Sequence, residues 1–280
     1  MSLLEAHDLT YFYPGKVRAL DGLSLRIDRG RRLAILGANG SGKTTVLLHL
    51  NGTLRPRSGE VRIDGQAMGY DHASLITWRR RVGLVLQNAD DQLFAPTVAE
   101  DVSFGPLNLG LSHHETRMRV SNALSALRIE HLADRATHML SFGQKKRVAI
   151  AGLVAMQPEI LLLDEPTAGL DHLGTESLLA VLEELERTAG TTMVFSTHDV
   201  EMAYRFAEDV AIFDGGRILA QGPIADVLAD TKFVRSAGLG TPLLLELGLR
   251  ARATGLLGVN EPLPRSAEAA LKLLKPVEQP

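Results

Sequence analysis

Residues 140–171 read LSFGQKKRVAIAGLVAMQPEILLLDEPTAGLD. Ser141-Phe142-Gly143-Gln144 is a Ser-x-Gly-Gln turn opening a basic helix. Residues 160–163 form an apolar strand that ends in the acidic pair Asp164-Glu165, and a second acidic turn closes at Asp171. Each piece suits a different part of a nucleoside triphosphate. The Ser-Gly turn suits phosphate, the first carboxylate suits magnesium, and the second can take a proton from water. An acidic pair at the end of a buried strand is costly for folding alone, which favours a metal and a polarised water beside it.

Upstream, Gly37-Ala-Asn39-Gly40-Ser41-Gly42-Lys43-Thr44 fills every fixed position of G-x-x-x-x-G-K-[ST]. Glycines let backbone N–H groups turn inward around phosphates, and the helix that follows adds its own free N–H groups and positive dipole end. Lys43 supplies a point charge to the outer phosphates, Thr44 offers a hydroxyl to magnesium, and Thr45 follows on the same turn. Together the two motifs specify a P-loop ATPase or GTPase.

Around them, short apolar runs alternate with helical patterns, which predicts an α/β core with buried strands at residues 33–36, 82–86, 160–163, 192–195 and 210–213. Residues 3–10 and 23–27 alternate like strands of an antiparallel sheet. Between residue 88 and about residue 155 strand signals thin out and helical periodicity runs through 115–127, the mark of a helical insertion. Past about residue 240 Pro, Gly and Leu dominate, and residues 266–275 suit a short amphipathic helix.

Composition sets limits. The 280 residues, 45% hydrophobic and 22% charged, suffice for one large core with a small appendage. A net charge of -3 gives no support to nucleic acid as the main partner. Cys is absent, which removes disulfides and thiolate metal sites and fits a reducing compartment. No apolar run reaches the roughly 20 residues of a spanning helix, and the N-terminus lacks the pattern of a secretory leader. A membrane role would therefore come through a partner. His113-His114 do not suit a transition metal, because adjacent helical residues point about 100° apart. The basic runs 79–81 and 145–147 are expected on solvated or phosphate-adjacent faces.

The stretch Leu140-Ser141-Phe142-Gly143-Gln144 resembles the signature of the ABC ATPases, usually LSGGQ, with Phe142 in place of the first Gly. If that glycine needs a positive φ, Phe142 raises a question about the loop's conformation. The resemblance covers roughly residues 3–235. It implies a RecA-like core with an antiparallel β-subdomain, an inserted helical subdomain at 88–155 within an ATPase domain of residues 1–239, and a small C-terminal extension at 240–280. It also implies Glu165, His198 and Gln87 as catalytic residues, and magnesium on Thr44, Gln87 and Asp164. Tyr13 is implied to stack on adenine, with Tyr11 the runner-up. ATP is implied to meet Gly37, Asn39, Gly40, Ser41, Gly42, Lys43, Thr44 and Thr45 of one subunit. Ser141, Gly143, Gln144 and Asp171 would come from the opposing subunit of a head-to-tail dimer, a homodimer in the simplest case.

The wording QNADDQLFAPTVAEDVSFGPLNLG after residue 86 and FDGGRILAQGP near residue 213 is similar to energy-coupling-factor importers, most of all the cobalt and nickel type. That likeness implies a peripheral subunit at the cytoplasmic face of the cell membrane, working with a transmembrane coupling protein and a substrate-binding membrane protein, and no nucleic acid. Cobalt is the expected cargo, with nickel or a vitamin as alternatives; a soluble ABC ATPase acting on nucleic acid is the alternative of another class. Leu93 and Phe94 are expected as apolar anchors for a membrane-protein helix, with Asp90 and Asp91 meeting basic residues. The leucines at 243, 244, 245, 247 and 249 are expected to contact a second subunit.

Overall fold

The computed structural model describes residues 2–273. In chain order the elements are β1 (Ser2–Tyr13), β2 (Val17–Asp28), β3 (Arg32–Leu36), α1 (Lys43–Leu50), β4 (Ser58–Ile63), β5 (Gln66–Ala67), α2 (His72–Arg81), β6 (Val82–Val85), α3 (Val98–Asn108), α4 (His113–Ala126), α5 (Phe142–Val154), β7 (Ile160–Asp164), α6 (His172–Ala189), β8 (Thr192–Thr197), α7 (Val200–Phe206), β9 (Asp209–Asp214), β10 (Arg217–Pro223), α8 (Ile224–Ala229), α9 (Thr231–Ser236), α10 (Leu243–Ala253) and α11 (Ala267–Lys272). Lys275, the end of the expected terminal helix, lies outside the described residues.

Two sheets share the molecule. One has the order β10-β9-β3-β8-β7-β6, parallel throughout except for the antiparallel edge strand β10. The other is antiparallel, in the order β2-β1-β4-β5. Parallel strands buried on both faces read as unbroken apolar runs, and their side chains divide by the two-residue period. Ala34, Leu36, Leu161 and Leu163 join one core cluster, which includes residues of α5 and α6. Leu33, Ile35, Ile160 and Leu162 join the other, between this sheet, α1 and the antiparallel sheet.

Residues 89–154 are helices and short 3-10 turns, tied by an isolated bridge between Thr97 and Ala136. α3 begins with a reciprocal capping box between Thr97 and Glu100, and α5 with one between Ser141 and Gln144. Phe142 is the first residue of α5 and is not among the residues with positive φ, so the substituted signature position needs no glycine conformation. Leu245 is fully buried, and Leu244 and Leu249 pack against the chain's own core, while Leu243 and Leu247 stay exposed.

Among the described residues no helix is long and apolar enough to cross a membrane.

Candidate active site

Strands β3, β8 and β7 are hydrogen-bonded neighbours running the same way, and β6 flanks β7, so their carboxyl ends meet along one edge. In an open α/β sheet that edge is where ligands bind. β3 leads into the Gly-rich loop, β7 into Glu165, β8 into His198 and β6 into Gln87. Asn39, Gly40, Gly42, Lys43, Thr44, Thr45, Gln87, Asp164, Glu165, His198 and Tyr13 line one open cleft of about 430 Å³.

The loop that opens α1 is shaped by glycines at points where no side chain fits. A Cβ on Gly37 would lie 2.5 Å from the carbonyl oxygen of Phe213, and one on Gly42, at φ +108°, would lie 2.7 Å from that of Ala19. Lys43 is 6% exposed, and its Nζ donates to the carbonyls of Gly37 at 2.8 Å and Ala38 at 3.0 Å. Burial pulls its pKa down, while Glu165 and Asp164 pull it back up. Gly37 and Ser41 do not line the cleft; they build the loop behind it.

Opposite the loop, the Thr44 hydroxyl donates to Asp164 Oδ2 at 2.8 Å, and the Ser196 hydroxyl donates to Asp164 Oδ1 at 2.5 Å. Ser196 is the register partner of Asp164 across β7 and β8. It also accepts the Glu165 N–H at 3.0 Å, so one buried hydroxyl orients both acids. Glu165 has φ +45°, an uncommon backbone state for a residue other than glycine. His198 Nδ1 lies 3.1 Å from Glu165 Oε1.

Of the two tyrosines, Tyr13 lines the cleft, with its hydroxyl 3.3 Å from Thr45 Oγ1, while Tyr11 packs against the core. Ser141, Gly143, Gln144 and Asp171 do not line the cleft. Ser141 and Gln144 cap α5, and Asp171 caps α6 by accepting the Gly174 N–H at 2.7 Å.

Sequence reading missed several residues. Val17, Arg18 and Ala19 also line the cleft, from the start of β2. Ser196 carried a weak signal, a hydroxyl at the end of the run VFST. Lys146, expected on a solvated or phosphate-adjacent face, is fully buried. Its neighbours are engaged too: Lys145 pairs with Asp90, and Arg147 donates to the carbonyl of Leu127 and to Ser177. Leu93, expected as an outward anchor, packs instead against the core, while Phe94 is 63% exposed.

The ABC transporter family profile matches residues 20–168, more than half of the chain. The chain belongs to the ABC transporter ATPase family. This ABC ATPase is 60% identical over 267 residues to the cobalt import ATP-binding protein CbiO of Rhodobacter capsulatus, an alignment covering 95% of each chain. It is 46% identical over 253 residues to the energy-coupling factor transporter ATP-binding protein EcfA of Methanothermobacter thermautotrophicus, covering 90% of this chain and 81% of the relative. Among solved structures it is similar to cbiO1 from Clostridium perfringens, described as part of the ABC transporter complex cbiONQ. The TM-score is 0.76 at 40% identity, covering 91% of this chain and 97% of that one.

Proposed function

We propose that this ABC ATPase is the ATP-hydrolysing motor of an energy-coupling-factor importer for cobalt ions. The observation that carries the ATPase reading is the single cleft in which Lys43, the Thr44–Asp164 pair and the Glu165–His198 pair converge. The likeness to a cobalt import ATP-binding protein along 95% of each chain supports the cargo.

The donor set suits magnesium. The Thr44 hydroxyl and a 2% exposed Asp164 carboxylate share a hydrogen bond at the phosphate loop, hard oxygen ligands of the kind Mg²⁺ takes alongside nucleotide phosphates, and Gln87 adds an amide oxygen. When bound, the ion would neutralise charge on the phosphates. The protein's own groups do the rest. Backbone N–H groups of the Gly-rich loop and Lys43 hold the phosphates, and Tyr13 offers its ring to the base. Glu165 takes a proton from the attacking water at a carboxylate oxygen. His198, with Nδ1 facing that carboxylate, holds it in line and leaves Nε2 for the terminal phosphate. Positioning and charge stabilisation supply most of the acceleration of phosphoryl transfer.

Ser141, Gly143, Gln144 and Asp171 serve the nucleotide of a second copy in a head-to-tail dimer. Their absence from the chain's own cleft, with Ser141 exposed at a helix N-terminus, supports that reading. The exposed side of α10, with Leu243 and Leu247, adds a second contact between the copies. The membrane partner docks in a groove of about 140 Å³ between Gln92, Phe94, Phe104 and α5. Phe94 and Phe104 meet edge to face there, 63% and 50% exposed. With Asp90 paired to Lys145, the aromatic pair and the exposed Asp91 are offered to that helix. The motor then works at the cytoplasmic face of the membrane, held by its partners.

The test is expression with and without the neighbouring membrane proteins. ATP-dependent phosphate release, co-purification with a membrane protein and ⁵⁷Co uptake are expected together. Uptake of nickel without cobalt would overturn the cargo, and purification as a nucleic-acid complex would overturn the importer reading.

A further inference from the structure

Lysine is almost never fully buried without a partner, yet Lys146 is 0% exposed. Its Nζ donates to the main-chain oxygen of Glu165 at 2.8 Å. That same oxygen accepts the Ala168 N–H at 3.2 Å, closing a turn. Two donors on one carbonyl hold the peptide plane that follows Glu165, whose backbone sits in the left-handed region at φ +45°. The direction of the Glu165 side chain depends on that plane.

Phe142 stands one helical turn before Lys146, on the same face of α5. Its ring centroid is 5.3 Å from Lys146 Nζ, within cation–π range. The same ring fills the space beside Gly169, where an added Cβ would lie 2.8 Å from a ring carbon. A Cβ on Gly143 would lie 3.1 Å from Leu170. The start of α5 therefore clasps the segment between Glu165 and Leu170. Neither Lys146 nor Phe142 lines the nucleotide cleft, and the cleft residue to which Lys146 is hydrogen-bonded is Glu165.

We propose that Lys146, roofed by Phe142, is a positioning residue for Glu165, and that it links the signature turn at one nucleotide to the carboxylate that serves the other. The link between sites rests on the dimer reading above; the positioning of Glu165 does not. Interfaces and packed cores shift between discrete arrangements rather than deform smoothly. A displacement of Ser141 on nucleotide closure thus reaches Glu165 through the Phe142 ring and the buried ammonium it covers.

The test uses the full chain and its K146M, K146Q, F142A and K146M/F142A variants. Phosphate release is followed against ATP concentration, and mass in solution is measured with and without ATP. For K146M we expect kcat to fall at least about tenfold with KM within about threefold, the pattern of a lost transition-state interaction. ATP-driven dimerisation should persist. K146Q, which keeps an N–H donor, should be at least about threefold faster than K146M, and F142A should slow the wild type but add little to K146M, as coupled residues do. A K146M rate within about twofold of wild type would overturn the proposal. So would loss of ATP-driven dimerisation in K146M, or a K146Q no faster than K146M. Additive losses in the double variant would remove Phe142 from the device. A wild-type chain that hydrolyses ATP at full rate as a monomer would sink the dimer and the link between sites, while the K146M rate would still decide the positioning of Glu165.

Discussion

In the proposed mechanism Glu165 is the proton acceptor, and the chain holds it closely. Its N–H is held by Ser196, its main-chain oxygen by Lys146 and its carboxylate by His198. A proton acceptor fixed at three points pays little reorganisation at the moment of reaction. Replacing it by Gln keeps the shape and removes the basicity. Glu165→Gln should lower kcat by about 10²- to 10⁴-fold, the usual share of a general base. It should leave ATP bound in a dimer, read by phosphate release and by mass with ATP present; a monomer turning over at wild-type rate would contradict the assignment. Asp164 and Glu165 were legible from the sequence because a charged pair closing an apolar strand has few structural uses. Lys146 was not, because nothing local separates a buried lysine from Lys145 beside it; burial is decided by the carbonyl and ring that come to meet it.

At the level of elements, α1 both opens the cleft and holds a buried histidine. His49 on its inner side is fully buried; its Nδ1 meets the Thr45 carbonyl at 2.7 Å, and its ring lies edge-on to Tyr11, 4.7 Å between centroids. Burial lowers its pKa below the usual value. Below the unfolded pKa of about 6.5 the unfolded chain binds a proton that the folded chain resists, so stability falls as pH drops from there towards the lowered folded value. His49→Leu should flatten that acid slope below the unfolded pKa of about 6.5, seen in urea midpoints measured on falling pH. In α3, the buried Asp101 accepts the N–H groups of Phe94 and Ala95, both at 2.9 Å. Asp101→Ala leaves both donors without their acceptor and should cost about 1–3 kcal/mol in chemical denaturation. It should also weaken membrane-partner binding by loosening Phe94. The existence of these helices was readable from periodicity and caps. The inward turn of Leu93 was not, because a turn lacks the period that tells an inward residue from an outward one.

For the whole molecule, the C-terminal helix α10 has a side packed on the chain and a side left exposed. Leu244, Leu245 and Leu249 secure α10 to the chain's own core, and Arg265 donates to the carbonyls of Tyr204 and Ala207. Leu243 and Leu247 face outward. Truncation at residue 240 would confound folding with association. Leu243→Glu with Leu247→Glu separates them, since exposed substitutions usually change stability by no more than about 0.5 kcal/mol. The double variant should keep the thermal midpoint and need more ATP than the wild type to dimerise, read by light scattering across an ATP titration. An unchanged ATP dependence would assign that contact to another surface.

By itself the sequence determined the five parallel strands, the phosphate loop and the acidic pair. Each is written in adjacent residues or in a short-range period that backbone geometry reads directly. Tertiary structure alone decided that four strand ends share one cleft, that Ser196 orients both acids, that Lys146 is buried beneath Phe142, and that Ser141 does not line the chain's own cleft. The hydrogen bonds that hold Asp164 and Glu165 there join residues 19 to 120 positions apart in the chain. Their meeting is set by strand order and burial, which no local pattern encodes.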